Sequence, residues 1–341
     1  MTGRQRILAA VAGDPVDQIP MVPISMMVAA DQIGVPYLKY ATDWQEQVRG
    51  QLAFADAFGV DHLSAISDPA TEAADCGAEV IYHDNAPPAL NETLSLLREK
   101  ETLGNLAVPD PGSSTRMANR LRVVEELKRQ GGEERIIEGW IEGPVAQACD
   151  LRGINRLMMD FYDDPPFVHE LMEFVLELEM GYAAAQIKVG AEVIGIGDAA
   201  ASLLGPDLYE EFAFPWQQRF IRGVHEMGAL VRLHICGDSR PVFPFLPDLA
   251  PDILDLDSVA PVAEARAAAV GEAAGLVLTG NIDPVRVLRG GSAAQVYDAV
   301  EKCFHDAGSR GYMVAAGCEI PRGTPPENLA AMLEVARANR F

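Results

Sequence analysis

The chain has 341 residues, 49% of them hydrophobic and 23% charged, a balance that excludes an intrinsically disordered protein. Fifty acidic residues against 27 basic ones leave a formal net charge of −23. Such a field repels phosphate backbones and anionic headgroups, so neither nucleic acid nor a membrane surface is an expected partner.

At the start, Arg4 and Arg6 precede a short apolar run that Gly13-Asp14-Pro15 interrupts. A signal peptide would carry an apolar core of about 7–15 residues running to a small-residue cleavage site, so this segment reads as an amphipathic helix. No apolar run approaches the roughly 20 residues of a membrane span, and the expected location is cytoplasmic. Short β-rich apolar runs then recur, and strands are expected at Met21–Ser25, His62–Ser67, Glu79–Tyr82, Ile136–Ile141 and Val193–Gly197. Four more are expected at Val231–His234, Ile253–Leu256, Leu276–Gly280 and Tyr312–Ala315. Helical periodicity fills Pro165–Ala185, Pro206–Met227, Ser292–Ala307 and Pro326–Ala338.

This alternation predicts an α/β fold, a single (β/α)8 TIM barrel over residues 1–341 with a helical N-terminal elaboration. An open doubly wound sheet is the competitor, but no strand runs into a Gly-x-Gly-x-x-Gly turn. Gly195-Ile-Gly197 is a fragment of one, and the Asp198 that follows would repel a pyrophosphate.

Five cysteines, an odd number in a chain this long, do not form a disulfide scaffold. Polar residues gather where barrel enzymes place their chemistry, past the C-terminal ends of strands. Asp68, Glu142, Asp198, the His234-Ile-Cys236 run, Asp255, Asp257 and Cys318-Glu319 all fall there. In His234-x-Cys236 the period of two turns imidazole and thiol to one face of an extended segment. Cys318 follows a last strand that a closed barrel returns beside the first. Three nitrogen and sulfur donors with one position open describe a catalytic zinc site. The competing reading is a core histidine and two small buried thiols. Cys76, Cys149 and Cys303 have no companions of metal-ligand type and read as structural. His62 and His83 flank strands, while His169, His225 and His305 lie in helical segments.

The opening Arg4-x-x-x-x-Ala9-x-x-x-Gly13-Asp14-x-x-Asp17-x-Ile19-Pro20 resembles the start of the uroporphyrinogen decarboxylase superfamily. So do Gly143-Pro144, Pro206-x-x-Tyr209-x-x-Phe212 with Pro215, and Gly280-Asn281-Ile-Asp283-Pro284. The porphyrinogen decarboxylases carry an Arg-Gln-Ala-Gly-Arg signature after the first strand, where this chain reads Pro23-Ile-Ser-Met-Met27 and offers no cation. The His-x-Cys…Cys set, with Ala315-Ala-Gly-Cys318-Glu-Ile-Pro321-x-Gly-Thr324-Pro-Pro-Glu327-Asn328, resembles the corrinoid-dependent methyltransferase branch instead.

That resemblance implies zinc on His234, Cys236 and Cys318, and methyl transfer between a corrinoid (a cobalamin-type carrier) and a thiol such as coenzyme M, or from a methylated donor to the corrinoid. The chain shows no Asp-x-His-x-x-Gly corrinoid motif, so a separate corrinoid protein is the expected partner, and a homodimer is a further expectation. Asp68 and Asp198 are candidates for orienting substrate or ligands, and Glu142 for a displaceable fourth zinc ligand. Asn281 and Asp283 are candidates for orienting the imidazole or for simply forming a turn, with Tyr209 and Arg322 behind them. Two readings compete: a decarboxylase, and an accessory protein that binds corrinoid or metal without turnover.

Overall fold

The computed structural model describes residues 1–341, the side chain of Glu272 excepted. Strands buried on both faces become continuous apolar runs, and seven such runs form one parallel sheet. They are β1 (His62–Ser64), β4 (Ile136–Glu142), β5 (Val193–Gly197), β6 (Leu230–Ile235), β7 (Ile253–Leu256), β8 (Val277–Ile282) and β9 (Tyr312–Ala316), hydrogen-bonded in the order β1-β4-β5-β6-β7-β8-β9. The remaining two strands, β2 (Val80–His83) and β3 (Ala86–Leu90), form a separate antiparallel hairpin.

The sheet curls into a (β/α)8 barrel whose eighth stave is a single extended segment. Met21 bridges Val314, the Val22 N–H donates to Val314 O at 2.9 Å, and the Val314 N–H donates to Pro20 O at 2.8 Å. On the other side the Asp61 N–H donates to Met21 O at 2.9 Å, and the Asp61 carboxylate accepts from the Met21 N–H at 2.8 Å. The strand expected at Met21–Ser25 is thus corrected to one bridge. Pro20 and Pro23 have no N–H to give a ladder, so pairing cannot propagate.

Glu79–Tyr82 also departs from expectation. It lies in the hairpin outside the barrel, with Ile81 40% and Tyr82 45% exposed, because Asp84-Asn85 turns the chain straight back. Regular pairing at His62–Ser67 stops after Ser64. The segment Pro206–Met227 breaks at Ala213, ahead of Pro215, into helices Pro206–Phe212 and Phe214–Glu226.

Elsewhere local chemistry sets the ends. Thr2 and Gln5 form a reciprocal cap on helix Gly3–Ala12, which Gly13 closes at φ 75°. Asp164 caps Pro165–Lys188, and Ser292 with Gln295 caps Ala293–Asp306. The N-terminal elaboration comprises Met27–Gln32, Tyr37–Thr42 and Trp44–Phe58 ahead of β1. No described helix is long and apolar enough to cross a membrane.

Within the barrel, β6 alternates. Leu233 and Ile235 face the helical layer's core, while Arg232, His234 and Cys236 share the other face. Arg232, 1% exposed, donates from Nη2 to Asp255 Oδ2 at 2.5 Å and from Nη1 to Glu138 Oε1 at 3.2 Å. His62 Nε2 lies 3.6 Å from Glu138, and burial pushes this imidazole down to about 4, so it is neutral. These ionic groups sit beneath the candidate site and are wholly enclosed.

Candidate metal centre

His234 is the fifth residue of β6, and Cys236 lies just past its end. There Gly237 turns away with a positive φ, and its N–H donates to Asp257 Oδ2 at 2.8 Å. Cys318 stands two residues beyond β9, after Gly317, whose N–H donates to Ile282 O at 2.9 Å. His234 Nε2 is 3.0 Å from Cys236 Sγ, and the two sulfurs are 3.6 Å apart. All three donor atoms fall within 4.8 Å of one another. Tetrahedral coordination at about 2.3 Å from sulfur and 2.0–2.1 Å from nitrogen separates donors by roughly 3.5–3.8 Å, so this set fits a soft divalent cation.

The three donors differ in their electrostatics. Cys318 is pushed down by hydrogen bonding from Cys236 and then from His234, against burial, so it is the readier thiolate of the two. Burial opposes charge on His234, yet Asp255 and then Cys318 hold the imidazole up to about 10. Hydrogen bonding to Cys318 and burial push the Cys236 thiol up, and an imidazole so raised must give up a proton before it can ligate a cation.

Asp255 Oδ2 lies 3.5 Å from His234 Nδ1, leaving Nε2 directed at the sulfurs. Asp255 is itself held by Arg232, an outer carboxylate of the kind that fixes a ligating imidazole's tautomer. For Asn281 and Asp283, candidates for that role or for a turn, the contacts favour the turn. Asn281 donates to the carbonyls of Asp257 and Ala260, and Asp283 caps the turn at Val285 and Arg286. The signal for Asp255 is register: His234 and Asp255 are partners across β6 and β7.

Above the three donors lies a cavity of about 130 Å³, with an apolar wall of Ile24, Met26, Ile66 and Trp140. Trp140 on β4 pairs in register with Gly195, and its indole lies flat against Gly195 and Gly197. A Cβ at Gly195 would stand 2.1 Å from the ring, and one at Gly197 2.9 Å. The Gly-x-Gly fragment is therefore a platform for an indole. Gly195→Ala must displace the ring, with an expected loss of about 1–3 kcal/mol in urea unfolding and a changed Trp emission maximum.

The three candidate carboxylates have different surroundings. Asp68 lines the cavity, and its Oδ2 accepts from Ser67 Oγ and Arg116 Nη2, both at 2.6 Å. Glu142 also lines it, although no carboxylate joins the cluster of three donors among the described residues. Asp198 is fully buried and outside the lining. It accepts from the Ala146 N–H at 2.8 Å and from Gln217 Nε2 at 2.7 Å, while Gln217 accepts from Tyr209 Oη at 2.5 Å. Tyr209 therefore belongs to the packing of Asp198. Arg322 pairs with Asp31 near the surface.

A buried acidic group that sequence reasoning missed runs behind Glu142. The Glu142 N–H donates to Glu72 Oε1 at 3.2 Å, and both oxygens of Glu179 are buried without a conventional donor. Burial, then Glu72 and Asp150, pushes Glu142 well above the usual carboxylate range; Glu179 and Asp150 are raised for the same reason. Burial lifts Glu72 to about 7. Glu142 is accordingly pushed toward its neutral form where it faces the cavity. Glu319, also on the lining, accepts from the Met27 N–H at 2.7 Å.

The remaining sulfurs and imidazoles lie elsewhere. Cys149 and Cys303 are buried, Cys303 donating to Asn281 Oδ1 at 3.4 Å, and Cys76 is half-buried with its thiol pushed up to about 12 by burial. His83, His169, His225 and His305 are exposed.

The uroporphyrinogen decarboxylase (URO-D) family model matches residues 2–339. Methylcobamide:CoM methyltransferase MtbA of Methanosarcina mazei is 25% identical over 100% of this chain and 99% of its own length. The uroporphyrinogen decarboxylase of Microcystis aeruginosa is 25% identical, over 82% of this chain and 79% of that protein. A solved methyltransferase from Methanosarcina mazei superposes with a TM-score of 0.89 at 23% identity, covering 99% of both chains.

Proposed function

The chain belongs to the uroporphyrinogen decarboxylase family, and from that premise we propose that it is a zinc methyltransferase moving a methyl group from a corrinoid, carried on a separate protein, to a thiol. The observation that carries this reading is the convergence of His234, Cys236 and Cys318, from two strand ends, at the floor of a small cavity. The full-length likeness to a methylcobamide:CoM methyltransferase supports it. We read residues 1–341 as one barrel domain.

When bound, zinc supplies the Lewis acidity that lowers the pKa of an incoming thiol, which is otherwise near 8.5. Two thiolates and one neutral imidazole suit it, and they leave one position open to the cavity. In this reading Asp255 keeps the His234 Nδ1 proton in place so that Nε2 ligates. The Trp140 wall excludes water from the nucleophile. Glu142, which burial pushes toward its neutral form, adds less negative charge beside the sulfur than an ordinary carboxylate would. Asp68 is already paired with Arg116, which limits it to shaping the wall, and Asp198 acts through packing alone. The same site would serve the reverse use, taking methyl from a methylated donor to reduced corrinoid.

A decarboxylase of a polycarboxylate would need cations around its substrate. Among the described residues no Lys or Arg lines the cavity, which disfavours that reading.

Protein purified without added metal is expected to contain about one zinc per chain, read by plasma emission. It should bleach methylcobalamin absorbance only when a thiol is added. Metal-free protein that is fully active, or zinc-loaded protein inert with every thiol and corrinoid, overturns the proposal.

A further inference from the structure

Resting on the methyl-transfer reading, we infer that the acceptor is a small thiol that is uncharged or cationic, and that anionic thiols are poor substrates. The lining sets this selectivity through its charge. Its ionisable groups other than the donors are Asp68, Glu142 and Glu319, and none of them carries positive charge in either protonation state. Among the described residues no Lys or Arg reaches the lining.

The guanidiniums near it lie outside the lining, Arg116 with its Nη1 buried and unpartnered. Arg116 stands behind Asp68 and donates to it at 2.6 Å. Arg120 donates to the Gln47 side chain and the Ala41 carbonyl. Arg322, four residues after Cys318, is held by Asp31 and Asn85 outside the cavity.

A sulfonate or carboxylate brought here would be desolvated against Ile24, Ile66, Met26 and Trp140 without a counter-charge, and burying an unpaired charge is costly. Approach is opposed as well, since the formal charge of −23 disfavours anions in the encounter. The indole face of Trp140 offers the opposite preference, because an ammonium is attracted to an aromatic ring. The cavity, about 130 Å³, is also smaller than the roughly 300–1,000 Å³ of drug-sized clefts, so the thiol is small. The relative named for coenzyme M acts on a thiol that bears a sulfonate.

Three thiols share a two-carbon arm and differ in the charge of its terminal group: 2-mercaptoethanol, cysteamine and 2-mercaptoethanesulfonate. With zinc-loaded enzyme and methylcobalamin, kcat/KM corrected for each thiolate fraction is expected to be lower for the sulfonate by about tenfold or more. Calorimetric titration without methylcobalamin should rank the three dissociation constants in the same order. Met26→Arg, which places a cation on the lining, should shift the preference toward the sulfonate by about tenfold.

A sulfonate that equals or exceeds the others in both rate and binding overturns the inference and leaves the methyltransferase reading standing. Binding in the expected order, with no thiol demethylating methylcobalamin, supports the charge selectivity and overturns the methyltransferase reading. If Met26→Arg fails to fold, the wild-type comparison alone decides.

Discussion

Cys318→Ser is expected to abolish stoichiometric zinc and to lower methyl transfer by about 10³-fold, because Lewis-acid activation of the nucleophile contributes several kcal/mol. A neutral hydroxyl is a poor ligand beside one thiolate and one imidazole. The loss in metal affinity should exceed the roughly 10–100-fold that follows removal of a group merely supporting a ligand. The fold should survive, since Cys318 is half-buried beyond the end of β9 and serine is nearly isosteric with cysteine. Metal analysis, methylcobalamin bleaching and a circular-dichroism melt on the same preparation separate the effects. Retained zinc and activity would remove His234-x-Cys236…Cys318 as the centre; lost helicity would make the comparison one of folding.

Arg232→Met should have the largest effect on stability, about 3–5 kcal/mol in urea unfolding, because it strands two buried carboxylates without their shared cation. Arg232 is 1% exposed and contacts Asp255 and Glu138 at 2.5 and 3.2 Å. Methionine refills much of the volume, so the loss measures uncompensated charge more than a void. Adding Glu138→Gln to Arg232→Met should recover part of it. A double variant no more stable than the single one would place the cost in packing. Because Arg232 also holds Asp255 beneath His234, the single variant should bind zinc more weakly even at a temperature where it is fully folded.

Much of the fold was legible because parallel strands covered on both faces become unbroken apolar runs. Val193–Gly197 and Ile253–Leu256 appear as read, and so does the helix Pro326–Ala338. The misreadings have physical causes. Met21–Ser25 has the composition of a strand, but its prolines remove the donors a ladder requires. Glu79–Tyr82 is as apolar as an interior strand, and only the Asp84-Asn85 turn marks it as half of an exposed hairpin.

The three candidate donors were legible from local spacing and family likeness. Their surroundings were not, since they depend on neighbours distant in the chain. Asp255 matters through its register with His234, and Trp140 through the flatness of Gly195 and Gly197. Glu72 and Glu179 look like ordinary helical acids until helix packing encloses them. Asp198 shows the converse: a strand-end carboxylate with every mark of a functional group, consumed by two internal donors.

The stave that closes the barrel is made early, yet the Val314 edge it bridges is made late, with nearly the entire chain between them. During synthesis the Pro20–Ile24 segment therefore emerges from the ribosome long before its partner exists, and closing so large a loop is slow. Cys318 leaves the tunnel only after Val314. The three candidate donors thus come together only once β9 has joined β8, among the last pairings the emerging chain can make.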